Sequence, residues 1–226
     1  MAFRPLLALL FCTIAIPQSR AEETPIDLGN ERARFSYAIG YQIGSGLVRD
    51  QLDIDVEALS EAIGDAIAGI TRLSREEQIA AIDAYRTRQL DQQNRQAVVN
   101  AQRAQDYLAK NRATEGVMET SSGLQYRVIS SVTEGVSPTL EDNVTVHYRG
   151  SLIDGTQFDS SYDRGTPATF NLSAVIPGWQ EGLQLMKVGE TFQLTIPAEL
   201  AYGKNGPPAI GPDQLLLFDV ELISIN

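Results

Sequence analysis

Apolar residues recur every fourth position in "RFSYAIGYQIGSGL", where Phe35, Ile39, Ile43 and Leu47 fall on one helical face. "VEALSEAIGDAIAGI" predicts a second helix with Leu59, Ile63, Ile67 and Ile70 aligned. Gly40, Gly44 and Gly46 each cost about 1 kcal/mol against Ala inside a helix. They make sense where another backbone packs closely, as do Ala62, Ala66 and Gly69 in the second helix. Two short helices bury little surface alone. The pattern fits a small helical core or a seam between two copies of the chain, and the small residues favour the seam. "LSREEQ" opens a third helix, with Ser74 as cap and Glu77 completing a capping box. No glycine or proline interrupts Arg75 to Glu115. A helix of about 38 residues would run roughly 57 Å. Its middle, "RTRQLDQQNRQ", is polar all round, as in a solvent-bridging stalk. A bent or broken helix is the alternative.

Gly116 ends the helical text, and from Ser122 the period becomes two. "GLQYRVI", "NVTVHYRGSLI", "PATFNL", "ETFQLTIP" and "QLLLFDVELISI" are five strand candidates, separated by turns such as Asp154-Gly155 and Gly135 to Pro138. One stretch, "GWQEGLQLM", returns to helical spacing, with Trp179, Leu183 and Met186 on one face. The predicted fold class is α+β: an all-α front half, then five antiparallel strands wrapped around one short helix that covers the concave face. The boundaries are a helical region over 22–73, a long linking helix over 74–115 and a sheet domain over 116–226.

Residues 1–21 stand apart. "MAFR", then the apolar run "PLLALLFCTIAI", then Ser19-Arg20-Ala21 have the layout of a secretory signal peptide cleaved after Ala21. The run is short for a membrane span. Removing it takes away Arg4, Arg20 and no acidic residue, which moves the formal charge from −11 to −13. It also removes Cys12, the only cysteine, so disulfides, thiolate catalysis and cysteine metal ligation are all excluded from the mature chain. Phe11 is too bulky for the residue before a lipidated cysteine. An acidic chain is no partner for nucleic acid. His147 is the single histidine, and strand alternation turns it away from the face of Val144, Val146 and Tyr148. It reads as structural, and a histidine-rich metal site is excluded by count. No calcium-type loop is present, and no cofactor is expected.

The candidate chemistry is a largely apolar set: Tyr148 on its strand, Phe158 and Asp159 in "GTQFDSS", Val175 and Ile176 before the short helix, Trp179 in its first turn, Tyr202 in "ELAYGKNGPPAIGP" and Phe218 on the last strand. Each alone would pass for core. Trp179 is the only tryptophan, and it stands at a helix mouth directly after Pro177-Gly178.

In order and spacing, "VTVHYRG", "DGTQFDSS", "VIPGWQEGLQLMKVGE", "LAYG" and "LLFDVEL" resemble the FKBP peptidyl-prolyl isomerases, over roughly residues 122 to 226. "FSYAIGYQIG", the helices after it and the long helix resemble the Mip/FkpA group of exported bacterial FKBPs. That group dimerises through its N-terminal helices. The resemblance implies a homodimer, export to a bacterial periplasm or an outer-membrane surface, proline-containing unfolded polypeptides as substrates, and macrolide FKBP inhibitors as ligands. It places Trp179 on the pocket floor under the substrate proline, with walls from Tyr148, Phe158, Val175, Ile176 and Phe218. It assigns the Ile176 N–H and the Tyr202 hydroxyl to substrate carbonyls, Asp159 to the twisting amide with Arg164 orienting it, and Ile210 to the rim. Asp159 could tune the electrostatics or simply hold Arg164 and the loop. Two departures stand out: Ala168 where many members carry a rim aromatic, and a loop "GKNGPPAIG" with no aromatic at its tip. The implied activity is X-Pro isomerisation during folding of envelope or secreted proteins. The alternative is a dimeric holdase chaperone whose FKBP domain mainly binds proline segments.

Overall fold

The computed structural model describes residues 26–50 and 52–226. The segment read as a signal peptide, 1–21, lies outside the described residues. The chain divides into two compact units, one reaching to Ala62 and the other spanning Ile63–Asn226.

Helix α1 runs Glu31–Arg49. Asn30 caps it by accepting from the Ala33 N–H at 2.8 Å, with Glu31 in the first turn and Arg49 in the last, each at the pole that suits its charge. Helix α2 runs Val56–Ala68. Neither contains a buried residue. Phe35 is 67% exposed and Ile67 84%. Apart from the backbone of α1 itself and the adjoining residues, nothing among the described residues comes within 4 Å of the space beside Gly40 or Gly44. One expectation is corrected here. Gly69 and Ile70 do not continue α2; Gly69 takes φ +71, and the Ile70 N–H turns back to the Asp65 carbonyl at 2.8 Å. Gly69 is therefore a left-handed helix stop, not a packing glycine.

Helix α3 is Arg75–Arg112, 38 residues long, and opens with the expected capping box: the Glu77 N–H donates to Ser74 Oγ at 3.2 Å and the Ser74 N–H to Glu77 Oε2 at 2.8 Å. The helix is unbroken. Its buried residues are Asn100 and Ala104, both in the C-terminal part. The stalk expectation therefore needs adjustment, because the last turns are docked on the sheet domain. Asn111 Nδ2 donates to Gln125 Oε1 at 2.8 Å and to Thr195 Oγ1 at 3.3 Å. Gln125, fully buried, donates to the Leu108 carbonyl at 3.0 Å and to Glu119 at 2.7 Å.

The sheet is antiparallel throughout and has seven strands. The five expected ones are present as β2 (Gln125–Ser130), β3 (Asn143–Leu152), β5 (Ala168–Asn171), β6 (Thr191–Ile196) and β7 (Leu216–Ile225). Two short strands join them, β1 (Val117–Glu119) and β4 (Gln157–Ser160). The order is β1-β2-β6-β7-β3-β4, with β5 also paired to β3. Alternation decides the core: Val144, Val146 and Tyr148 of β3 pair in register near Leu222 and Val220 of β7, and all are buried. Helix α4, Pro177–Gln184, lies on this face with Trp179 and Leu183 buried, and Met186 follows just beyond it. It approaches β6 closely. A Cβ on Gly178 would sit 2.4 Å from Ile196, and one on Gly182 2.8 Å from Leu194. His147, as expected, faces away; its Nδ1 is 2.9 Å from Ser161 Oγ and its ring stacks on Tyr162.

Candidate functional site

The site grows from the start of α4. Pro177 occupies the first turn, where its missing N–H costs nothing. Ile176 is the N-cap residue, and its carbonyl accepts from the Trp179 and Gln180 N–H groups at 2.9 and 3.1 Å. The Gln180 side chain reaches back to the Val175 carbonyl at 2.8 Å and the Ser173 carbonyl at 3.2 Å. This tightens the segment 173–176, while the Ile176 N–H has no partner among the described residues.

Trp179, 4% exposed, is ringed edge-to-face by Tyr148, Phe170 and Phe218, with centroids 5.2, 5.7 and 5.2 Å away. Phe158 meets Phe218 in the same manner at 5.5 Å. Edge-to-face contact suits the ring quadrupoles. Room for these rings comes from Gly150, where a Cβ would lie 2.7 Å from both Phe158 and Phe218. The indole Nε1–H is buried with no acceptor. An orphaned donor costs about 1–3 kcal/mol. A tryptophan held there against that cost is poorly explained as core filling alone.

Above the indole is a cavity of about 310 Å³ lined by Tyr148, Phe158, Asp159, Phe170, Ala174, Val175, Ile176, Trp179, Tyr202 and Phe218. Wider clefts of about 420 and 380 Å³ run beside α3. Their walls carry Arg103, Asp106, Lys110 and Asp154, or Lys204 and Asp213. The smaller cavity is set apart by its aromatic lining, with Tyr148, Phe158, Phe170, Trp179, Tyr202 and Phe218 all in its wall or floor, which suits a ring-shaped apolar group.

Its polar groups form one closed network. The Tyr148 hydroxyl donates to Asp159 Oδ2; Arg164 pairs with Asp159 Oδ1 and donates to the Tyr148 oxygen at 2.8 Å. Burial pushes the Asp159 carboxyl upward, but the hydrogen bonds from Tyr148 and Arg164 outweigh it, and the pKa falls below its ordinary value. Burial raises the Tyr148 phenol, and the bond to Asp159 adds to the rise. Proton and charge are thus settled: neutral phenol, ionised carboxylate. Each carboxylate oxygen thus accepts a hydrogen bond, and the Arg164 guanidinium balances the carboxylate charge beside the cavity.

Eight of the ten expected site residues line this cavity. Arg164 stands behind Asp159 rather than in the wall. Ile210 is not among the residues lining the cavity; it is 7% exposed and belongs to the core cluster that also holds Tyr148, Trp179 and Phe218. Sequence reasoning missed Phe170 and Ala174. The rim aromatic looked for at Ala168 is supplied two residues later by Phe170, on the same face of β5. The period-two pattern of "ATFN" carried that signal.

Comparison with known proteins agrees with this geometry. Residues 135–223 match the family model for the FKBP-type peptidyl-prolyl cis-trans isomerase, and residues 32–128 that for the domain amino-terminal to it. The chain belongs to the FKBP-type peptidyl-prolyl cis-trans isomerases, and it is an enzyme of that activity. It is 37% identical to the peptidyl-prolyl cis-trans isomerase Mip of Coxiella burnetii, over 97% of this chain and 98% of that one. It is 44% identical to the FKBP-type 22 kDa isomerase of Escherichia coli, over 85% and 95%. The crystal structure of Escherichia coli FkpA superposes with a TM-score of 0.62 at 36% identity, over 87% of this chain and 97% of that one. Within the family the chain is of the two-part Mip/FkpA type.

Proposed function

We propose that the cavity above Trp179 binds an X-Pro segment of an unfolded polypeptide and lowers the barrier to rotation of its amide. That barrier is about 18–20 kcal/mol in water. Twisting the amide breaks its resonance, so the carbonyl is less polar at the transition state than in either planar form. A dry aromatic cavity therefore favours the twisted amide over the ground state, which is the condition for catalysis. No nucleophile, metal or cofactor is called for. The proline ring rests on the indole. The Ile176 N–H and the Tyr202 hydroxyl, the latter on a residue 43% exposed at the mouth, take substrate carbonyls. Asp159, Arg164 and Tyr148 hold the wall. The observation that carries this reading is the three-ring enclosure of Trp179, by Tyr148, Phe170 and Phe218, beneath an open, largely apolar cavity.

Trp179 is the sole tryptophan, so its emission reports on the site directly. Titration with an Ala-Leu-Pro-Phe-type peptide, and separately with a macrolide FKBP inhibitor, should change the emission saturably, with the two ligands competing. Unchanged emission under saturating peptide, in protein that isomerises the same peptide, would place the reaction elsewhere.

The cellular role we assign is folding of envelope or secreted proteins after export, since relatives carry the names FkpA and outer membrane protein MIP. The exposed apolar faces of α1 and α2 favour a homodimer joined there. Two cavities on one particle would raise avidity for a long client, and this supports a second, holdase activity. Suppressed aggregation of a proline-free client by full-length protein would establish the second activity; no suppression would leave isomerisation alone.

A further inference from the structure

We infer that Asn100, on the long helix, is a positioning residue for the catalytic cleft: it pins the loop that carries Tyr202. Asn100 is 2% exposed. Its Nδ2 donates to the Pro212 carbonyl at 2.7 Å, and its Oδ1 accepts from Gln96 Nε2 at 2.8 Å. A helix with only two buried residues, Asn100 and Ala104, thus buries one amide, and it directs that amide to a loop more than a hundred residues away in sequence.

The loop is a closed ring. The Asp213 N–H, next to Pro212, donates to the Gly203 carbonyl at 2.8 Å, and Gly203 directly follows Tyr202. The Asn205 N–H returns to the Tyr202 carbonyl at 3.3 Å. Across the ring, a Cβ on Gly206 would lie 2.0 Å from the Gly211 oxygen, so the two arms touch. Asp213 takes φ 48, the one positive value at a non-glycine among the described residues. Such a conformation persists where its surroundings over-determine it. Here the surroundings are the Gly203 bond on one side and the Asn100-bound, buried Pro212 on the other. Three links therefore run from helix to cleft: Asn100 to Pro212, Asp213 to Gly203, and Gly203 to Tyr202 through the chain. Loss of the Asn100 donor leaves the Pro212 carbonyl buried and unpaired, and the ring can relieve that by moving, taking Tyr202 with it. The helix is then part of the active-site architecture and more than a spacer. This inference rests on the reading that the Tyr202 cleft holds the proline.

The test uses full-length protein and an X-Pro tetrapeptide assay, with Asn100→Ala, Asn100→Asp (same shape, no donor), Tyr202→Phe, and Asn100→Ala/Tyr202→Phe. Asn111→Ala is the control, since it removes a helix-to-sheet bond away from the cleft. Tyr202→Phe should lower kcat/KM, and so should both Asn100 variants, each by about fivefold, the scale of one lost hydrogen bond. In the Tyr202→Phe background the Asn100 effect should shrink below about twofold. Asn111→Ala should melt earlier yet keep wild-type kcat/KM. Amide exchange at Asp213 should accelerate about tenfold in Asn100→Ala and not in Asn111→Ala. Wild-type kcat/KM in folded Asn100→Ala, or a loss that simply adds to that of Tyr202→Phe, would overturn the inference. A wild-type rate in Tyr202→Phe would overturn the role given to that hydroxyl, and with it this inference. Accelerated Asp213 exchange in Asn100→Ala would in that event show that the anchor exists and that the reading of the cleft is what failed.

Discussion

Each Asp159 carboxylate oxygen already accepts one hydrogen bond, Oδ2 from Tyr148 and Oδ1 from Arg164. The Asp159 pKa is depressed, so the ionised network is intact above about pH 3.8 and its contribution to stability is lost as pH falls through the lower, folded-state value. Tyr148 is raised, so its donor proton stays through about pH 10 and leaves only above that. The enzyme should therefore show a flat kcat/KM from about pH 5 to pH 9, which a pH–rate profile checks. Asp159→Asn should lower kcat/KM about tenfold and remove the Asp159 share of the stability lost in acid, leaving the share of other depressed carboxylates such as Glu119. Gly150→Ala should be more damaging, because its Cβ would stand 2.7 Å from Phe158 and Phe218. Overpacking of this kind costs about 1–3 kcal/mol; thermal melting should show that loss, and the isomerase rate should fall with the displaced rings. Most of these residues were legible through the family resemblance of their motifs, since each alone would pass for core and only their order and spacing together point to one cavity. Phe170 went unread although its strand was foreseen, because the alternation of "ATFN" was not followed from Ala168 to the next residue on the same face. Ile210 stands in a loop, which has no periodicity from which its burial could be read.

At the level of elements, α4 is bound by shape. Gly178 and Gly182 let it settle on Ile196 and Leu194, and Leu183 is fully buried beneath it. Leu183→Ala should cost about 2–5 kcal/mol in denaturant unfolding. Ser74→Ala, which removes the exposed cap of α3, should cost about 1 kcal/mol and leave the isomerase rate unchanged. Strands β2, β3, β5, β6 and β7 and all four helices could be foreseen from period alone. Strands β1 and β4 could not, with three and four residues. The docking of α3 was also invisible. Asn111, Gln125 and Thr195 are polar residues up to 84 positions apart, and no hydrophobic pattern marks a buried polar network. A polar helix middle signals solvent correctly but says nothing about the turns that follow it.

For the whole molecule, the apolar faces of α1 and α2 set the expectation of a dimer. Sedimentation of the full chain should give a two-chain mass, and Ile39→Asp/Ile43→Asp should give one chain with its isomerase rate on short peptides kept, since neither residue belongs to the cleft. A one-chain mass for the wild type would remove that seam. The central claim is that an aromatic cavity floored by Trp179 is itself the catalyst. The most direct measurement is the isomerase rate of full-length protein on an X-Pro tetrapeptide, wild type against Trp179→Leu, with melting curves for both. The account predicts a fall of at least about tenfold in kcat/KM for a Trp179→Leu protein that remains folded at the assay temperature. A folded Trp179→Leu enzyme with the wild-type rate would contradict it.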